Sequence, residues 1–502
     1  MSKGLEAYKK LQRLGKEIRL LSSIGMLLEW DQETYMPKEG REIRAEQIEL
    51  LSSIAHQKKV EGSYKKALRQ LIDLESGKLL APALDNRKKA ALEEMRREYL
   101  LDKKLPNDFV KKVAKASSQG VFAWQKAKQE NAFETFLPHL ETIISLHIEK
   151  AELLGYEAHP YDALVNQYET GMTVKTLDAL FGELKPFLVE LTLKAQEKPA
   201  PSKAFLSASI PLDQQASFTH ALLKRIGVSS SRARIDYSSH PFCLGLHPTD
   251  VRLTTHTSST SFLKSLSGVT HEAGHALYEL GLPPEDYGTP LGEYCSLGIH
   301  ESQSRFWECF IGHGAPFISH LHEELLRSFP KTFESVSSDV LYSAFNHVEP
   351  SLIRVFADEV TYILHIILRY EIEKGLITKE ITPASLPKIW GEKMEELFGI
   401  VPMTDREGCL QDIHWLSGLI GYFPTYALGN LYAGQLYQTF TATFPNYDRK
   451  IASGDLHFIK EFLHDKIHRY GREFSALTLI EKATGAPLSS TPYMNYLSSK
   501  HQ

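Results

Sequence analysis

Between Ser258 and Leu280 the chain reads SSTSFLKSLSGVTHEAGHALYEL, and His271-Glu272-Ala273-Gly274-His275 within it sets two histidines four residues apart. Apolar residues recur at Phe262, Leu263, Leu266, Val269, Ala273, Ala276 and Leu277, with Ser and Thr before them and Gly281-Leu282-Pro283-Pro284 after, so the stretch must fold as a helix. On a helix, residues four apart lie about 6 Å apart along the axis and roughly 40° apart around it, so both imidazoles face the same way. Each can place a ring nitrogen about 2.0–2.1 Å from one zinc ion. Glu272 then reaches a water at that ion without binding the ion itself, which leaves two anchors, a base and room for a third ligand. The competing reading makes both histidines hydrogen-bonded core residues. Against it stands Gly274, which weakens a helix by about 1 kcal/mol relative to Ala and so points to something packed closely there.

A chain of 502 residues exceeds the size at which one core keeps growing, so lobes are expected. Hydrophobic content of 42% and charged content of 24% suit a soluble globular protein. The 57 Lys and Arg against 62 Asp and Glu, a formal charge of -5, point to neither nucleic acid nor an anionic membrane as partner. Cys243, Cys295, Cys309 and Cys409 form no CxxC, so they read as buried thiols in a reducing compartment. The start, MSKGLEAYKKLQRLGKEIRL, is charged throughout, and no later run approaches a membrane span, so a soluble cytoplasmic protein is expected.

From Lys3 to about Glu130 the apolar spacing predicts long antiparallel helices, the first parted from the second at Met36-Pro37-Lys38-Glu39-Gly40. Leu84 to Lys104 mixes both charge signs and reads as a solvated helix face. Further helices are expected over Pro138–Leu154 and Val174–Lys198. The texture changes at Pro199-Ala200-Pro201, dividing one catalytic unit, 1–502, into a helical lobe, 1–200, that forms a groove wall, and a lobe, 201–502, that carries the metal site. Arg232–Thr257 is the best candidate for a β-hairpin or small sheet, and it lies just before the His271 helix, where an edge strand can pair with an extended peptide. Helices are expected again over Ser296–Phe310, Leu352–Lys374, Leu386–Phe398, Tyr422–Phe440 and Leu456–Glu473.

The residues after His275 run Ala276-Leu277-Tyr278-Glu279, so the third ligand is not a His on the same helix but a later His, Glu or Asp. A carboxylate from a second helix fits best, and Glu301 follows a loop long enough to bring the chain back.

The sequence resembles the carboxypeptidase Taq family of metallocarboxypeptidases over nearly its whole length. The matching motifs are Trp30 to Pro37, His240-Pro241-Phe242, Asp250 to Thr254, His271 to His275 and His300-Glu301-Ser302-Gln303. They continue as Ile353-Arg354-Val355-Phe356-Ala357-Asp358 and Gly408 to Trp415. The resemblance implies a mainly α, helical zinc-peptidase (gluzincin) fold with a deep central groove and a small β-sheet beside the metal helix. It also implies a homodimer that releases single residues from the free C-termini of peptides, using a divalent metal that is usually Zn2+, with Co2+ tolerated.

By motif position and chemistry, His271, His275 and Glu301 are the metal ligands, and Glu308 is the rival carboxylate. Glu272 is the general base and acid. The oxyanion needs further donors, for which His414 and one of Tyr422 or Tyr426 are candidates, with core packing as the alternative for either tyrosine. A free carboxylate calls for Arg: Arg354 first and Arg252 second, each with a structural alternative in an ion pair to Asp358 or Asp250. His240 and Phe242 either shape the substrate groove or form a turn. The leading function is a metal-dependent carboxypeptidase of broad specificity. The alternatives are an endo-acting zinc oligopeptidase of similar fold and a non-catalytic helical zinc-binding protein.

Overall fold

A computed structural model of the chain describes residues 3–60, 62–201, 205, 209–238, 240–256 and 262–501. The helices that bear on the site are, in chain order, α1 (Lys3–Thr34), α2 (Arg41–Val60), α3 (Asn107–Glu130), α4 (Phe133–Leu154), α5 (Val174–Gln196), α6 (Phe262–Gly281), α7 (Leu297–Arg305) and α8 (Tyr362–Thr378). The fold is mainly α. Its strands are β1 (Ala233–Tyr237), β2 (Cys243–His247) and β3 (Asp250–Thr255), in the order β1-β3-β2, with β1 parallel and β2 antiparallel to β3. The Ser258–Ser261 part of the expected metal helix lies outside the described residues.

The chain forms two compact units that interleave in sequence. One comprises Met1–Lys103, Ser202–Ala344 and Leu436–Pro487; the other comprises Lys104–Pro201, Phe345–Gln435 and Leu488–Gln502. This differs from a cut at residue 200, because the first hundred residues pack with the metal helix and the sheet.

In the first unit, Tyr8 and Leu11 of α1 join Leu68, Leu71, Leu92, Met95 and Leu291 in one apolar core. The end of α1 is fixed to the sheet by Trp30, whose ring lies 4.9 Å from the Arg252 guanidinium and 5.2 Å from that of Arg234. Such stacking is worth about 0.5–2 kcal/mol each. Tyr35 adds a bond, its hydroxyl donating to Asp236 Oδ1 at 2.6 Å. α6 packs against β2, β3, α7 and the π-helical segment Phe306–Gly312, and it is buried almost throughout, as its Ala, Leu and Gly content permits.

In the second unit, Tyr370 of α8 meets Tyr161 and Phe181 edge to face, with ring centroids 5.6 and 5.1 Å away. α8 starts at Tyr362 rather than at Leu352. The Asp358 carboxylate accepts from the backbone N–H of Glu349, Val360 and Thr361 at 2.9–3.1 Å, and this closes a turn where the apolar spacing suggests helix. The helix expected from Tyr422 starts instead at Pro424 and runs over Pro424–Thr443, the proline sitting in the first turn, where a missing N–H costs nothing. The expected Leu456–Glu473 helix ends at Lys466, and Gly471 turns the chain with φ 54 against the Leu291 backbone. Among the described residues no helix is long and apolar enough to cross a membrane.

Candidate metal centre

Helical geometry sets the His271 and His275 rings 4.9 Å apart, centre to centre, on one face of α6. α7, capped by the Ser296 hydroxyl accepting from the Ile299 N–H at 3.1 Å, brings Glu301 to them. Glu301 Oε2 lies 3.8 Å from His271 Nε2 and 3.5 Å from His275 Nε2, and the donor atoms of all three residues lie within 4.8 Å of one another. These separations exceed a proper hydrogen bond, yet suit three corners of a tetrahedron with bonds of about 2.0–2.1 Å, whose corners stand roughly 3.3 Å apart. Two imidazoles and a carboxylate are a donor set for zinc or another divalent ion of similar preference.

Gly274 explains how the two helices come so close. A Cβ at this position would lie 2.6 Å from Ser304 Cα and 2.8 Å from the Gln303 carbonyl carbon, with the Gln303 oxygen nearer still. The backbone of α7 thus occupies the space a side chain would need.

The remaining nitrogens of the ligand pair face away from Glu301. His271 Nδ1 donates to Glu308 Oε2 at 2.9 Å, and Glu308 also accepts from Arg305 at 2.8 Å and from the Ser267 hydroxyl at 3.0 Å. Burial opposes ionisation of Glu308, but Arg305 and His271 outweigh it and hold its carboxyl below the usual range. Glu308 therefore backs His271 rather than joining the triad. The Glu301 and Glu308 carboxylates likewise outweigh burial at His271 and raise its pKa to about 9, whereas burial, helped by His300, lowers that of His275 to about 4.

Glu272 is buried, and its Oε2 has no hydrogen-bond partner among the described residues. Burial pushes its carboxyl up to about 7, against the pull of His271. A buried carboxylate oxygen left unpaired beside converging ligands is a costly arrangement that a reacting water or a departing amine can satisfy.

His414, Tyr422, Tyr426 and Arg354 belong to the second unit. His414 Nε2 is 3.3 Å from the Tyr426 hydroxyl, and the His414 ring lies 4.6 Å from that of Phe423 and 5.7 Å from that of Tyr422. Burial lowers the pKa of His414 to about 4, keeping it neutral. The Arg354 ion pair is not with Asp358. Its Nε and Nη2 donate to Asp412 Oδ1 at 3.2 and 2.9 Å, and Nη1 donates to the Tyr362 hydroxyl at 3.2 Å. Arg369 donates through Nε to the other oxygen of Asp412 at 2.8 Å and through Nη2 to Gln411 Oε1, also at 2.8 Å.

Two guanidiniums thus share one carboxylate, which leaves one buried positive charge. Gln411 and Asp412 lie inside the Gly408 to Trp415 motif without a role read from it, and Arg369 is missed by the sequence reasoning. A visible signal existed for Arg369: His365, Arg369 and Glu373 stand four apart on a largely apolar helix, and each is fully buried.

Arg252 pairs with Asp250, donating through Nη2 at 2.9 Å, and stacks on Trp30, so its guanidinium is occupied. His240 is exposed, and its carbonyl accepts from the Ser238 hydroxyl. Phe242 pairs through its backbone with Thr254 of β3, its carbonyl accepting at 2.8 Å, so the His240–Phe242 turn leads the chain into β2.

The sequence pattern of the carboxypeptidase Taq (M32) metallopeptidases matches residues 10–501. The chain belongs to that family. It is a metallocarboxypeptidase, a peptide hydrolase. It is 38% identical to carboxypeptidase 1 of Bacillus subtilis over 487 residues, covering 97% of this chain and 96% of that protein. It is 37% identical to thermostable carboxypeptidase 1 of Thermus thermophilus, covering 99% and 98%. The M32 carboxypeptidase structure from Deinococcus radiodurans R1 superposes with a TM-score of 0.95 at 32% identity, covering 99% of each chain.

Proposed function

We propose that this metallocarboxypeptidase removes C-terminal residues from peptides with broad tolerance of the side chain, with His271, His275 and Glu301 holding a zinc ion that cobalt can replace. The carrying observation is the unpaired, buried Glu272 oxygen beside three converging ligands. A divalent ion bound there supplies a Lewis acid that polarises a peptide carbonyl and acidifies water. Glu272 takes the proton from the attacking water and returns it to the departing amine, a role suited by a pKa near neutrality.

His414 and one of Tyr422 or Tyr426 donate hydrogen bonds to the carbonyl oxygen as it becomes an anion, and His414 is kept neutral for this by burial. Arg354 receives the terminal carboxylate, a reading supported by the positive charge that Asp412 leaves unmatched. His240 and Phe242 contribute to the substrate groove. Arg252, already paired and stacked, is the weaker carboxylate candidate. The proposal takes the enzyme to be a cytoplasmic homodimer.

Glu272→Gln tests the reading. It should retain wild-type zinc content and lose turnover on a mixed-sequence peptide followed by mass spectrometry; full activity in this variant refutes the role. With the wild-type enzyme, amidating the peptide's C-terminus should remove most cleavage, and cleavage at an unchanged rate would favour the endo-acting alternative.

A further inference from the structure

α6 carries a third polar residue in line with its histidines: His271, His275 and Glu279 follow one another at intervals of four. Glu279 is buried in the last turn of α6. Its partner is His300, the residue before Glu301, whose Nε2 is 2.9 Å from Glu279 Oε1. The other nitrogen of His300, Nδ1, lies 2.6 Å from His275 Nδ1. Tyr278 and Tyr294 flank the His300 ring with centroids 5.4 and 4.9 Å away.

We infer that Glu279 and His300 are positioning residues that fix the proton and the ring of the ligand His275 through a carboxylate–imidazole–imidazole relay. Proton placement follows from the carboxylate end. An ionised Glu279 only accepts, so His300 Nε2 carries the proton between them. A His300 ring with that single proton accepts at Nδ1, so His275 Nδ1 must donate. His275 Nε2 is then left with its lone pair, and this is the nitrogen that faces Glu301.

The two ligand histidines are thus held differently. His271 donates directly to Glu308, whereas an additional imidazole stands between His275 and its carboxylate. β2 completes the relay. A Cβ at Gly245 would lie 2.6 Å from Glu279 Cγ and closer still to the carboxylate, so this strand position is glycine to admit Glu279.

The inference rests on His275 being a metal ligand, and its test keeps the two apart. Zinc affinity is measured by competition with a chromophoric chelator, alongside the melting temperature of the metal-free protein. His300→Phe keeps a ring between the tyrosines but offers no acceptor, and should weaken zinc binding by about 10–100-fold. Glu279→Ala should do likewise. Glu279→Gln, whose amide oxygen still accepts from His300 Nε2, should restore affinity to within about threefold of wild type.

A purely structural pair lowers the melting temperature of the metal-free variants and leaves zinc affinity within about twofold of wild type; that outcome overturns the relay. His271→Ala separates the premises. If it keeps zinc, the ligand assignment itself fails; if it loses zinc while His300→Phe does not, only the relay fails.

Discussion

Gly274→Ala opposes two effects whose sizes can be compared. In an exposed helix this change stabilises by about 1 kcal/mol through propensity alone. At this position the new methyl meets Ser304 Cα at 2.6 Å, where ordinary contact begins at 3.4 Å, and the obstacle is α7 backbone rather than a side chain that can swing away. Relief requires α6 and α7 to part by about 1 Å, and overpacking of this kind costs about 1–3 kcal/mol.

The net expectation is destabilisation by up to about 2 kcal/mol, opposite in sign to propensity. The parting acts along the line joining the His271–His275 pair to Glu301, so zinc affinity should fall and kcat/KM should drop about a hundredfold, the scale of a 1 Å misplacement. Urea unfolding, zinc competition and steady-state hydrolysis read the three effects. A Gly274→Ala enzyme that is more stable than wild type and retains its zinc affinity and kcat/KM would refute the account.

Arg354→Gln removes one of the two guanidiniums on Asp412 and leaves Arg369 to pair with it; KM for peptides with a free C-terminus should rise tenfold or more, roughly the 1.5–3 kcal/mol of charged hydrogen bonds, while kcat changes less. A fall in kcat at unchanged KM would remove Arg354 from carboxylate recognition. His147 of α4 lies between the carbonyls of Ile143 and Gly418, and burial, with help from Lys150, lowers its pKa to about 4 from 6.5. The unfolded chain therefore takes up a proton that the folded one refuses as pH falls from 6.5 towards 4, and stability is lost through that window with a slope of at most about 1.4 kcal/mol per pH unit. His147→Gln should flatten the pH dependence of the urea midpoint there, and an unchanged slope would contradict the argument.

What was legible in the sequence was local. A repeat of four within an amphipathic stretch places His271 and His275 by helix geometry alone, and the Met36–Gly40 break and the β stretch before α6 follow from turn and strand chemistry. Gly274 also signalled a close neighbour, although not that the neighbour is the backbone of α7. What failed depended on partners distant in sequence. The structural alternative for Arg354, a pair with Asp358, follows from i and i+4 being neighbours on an α-helix, but Arg354–Phe356 forms only a short 3-10 turn and Asp358 spends its oxygens on backbone N–H groups. Arg354 is then free to reach Asp412. The lobes were cut at a change of texture, which does not reveal that the end of α1 returns to stack Trp30 between two strand arginines.

α6 and α8 share a property that makes this boundary informative. Both are largely buried, with Lys264 exposed on α6 and Glu371 and Lys374 half-buried on α8, so a polar side chain elsewhere on them must find its partner inside the protein. Each carries three polar residues four apart: His271, His275 and Glu279 on α6, and His365, Arg369 and Glu373 on α8. The α6 set supplies two of the three proposed metal ligands and one end of the proposed relay. In the α8 set Arg369 shares Asp412 with Arg354, while Glu373 accepts from Trp415 Nε1 at 2.7 Å and the Gly421 N–H at 2.9 Å, fixing the chain just after His414 and just before Tyr422. A row of polar residues at helical spacing on the buried face of a helix is therefore readable without knowing its partners. Burial makes such a row costly unless its members are bonded, and the bonds of Arg369 and Glu373 lead to Asp412, Trp415 and Gly421, neighbours of the residues on which the proposed chemistry depends.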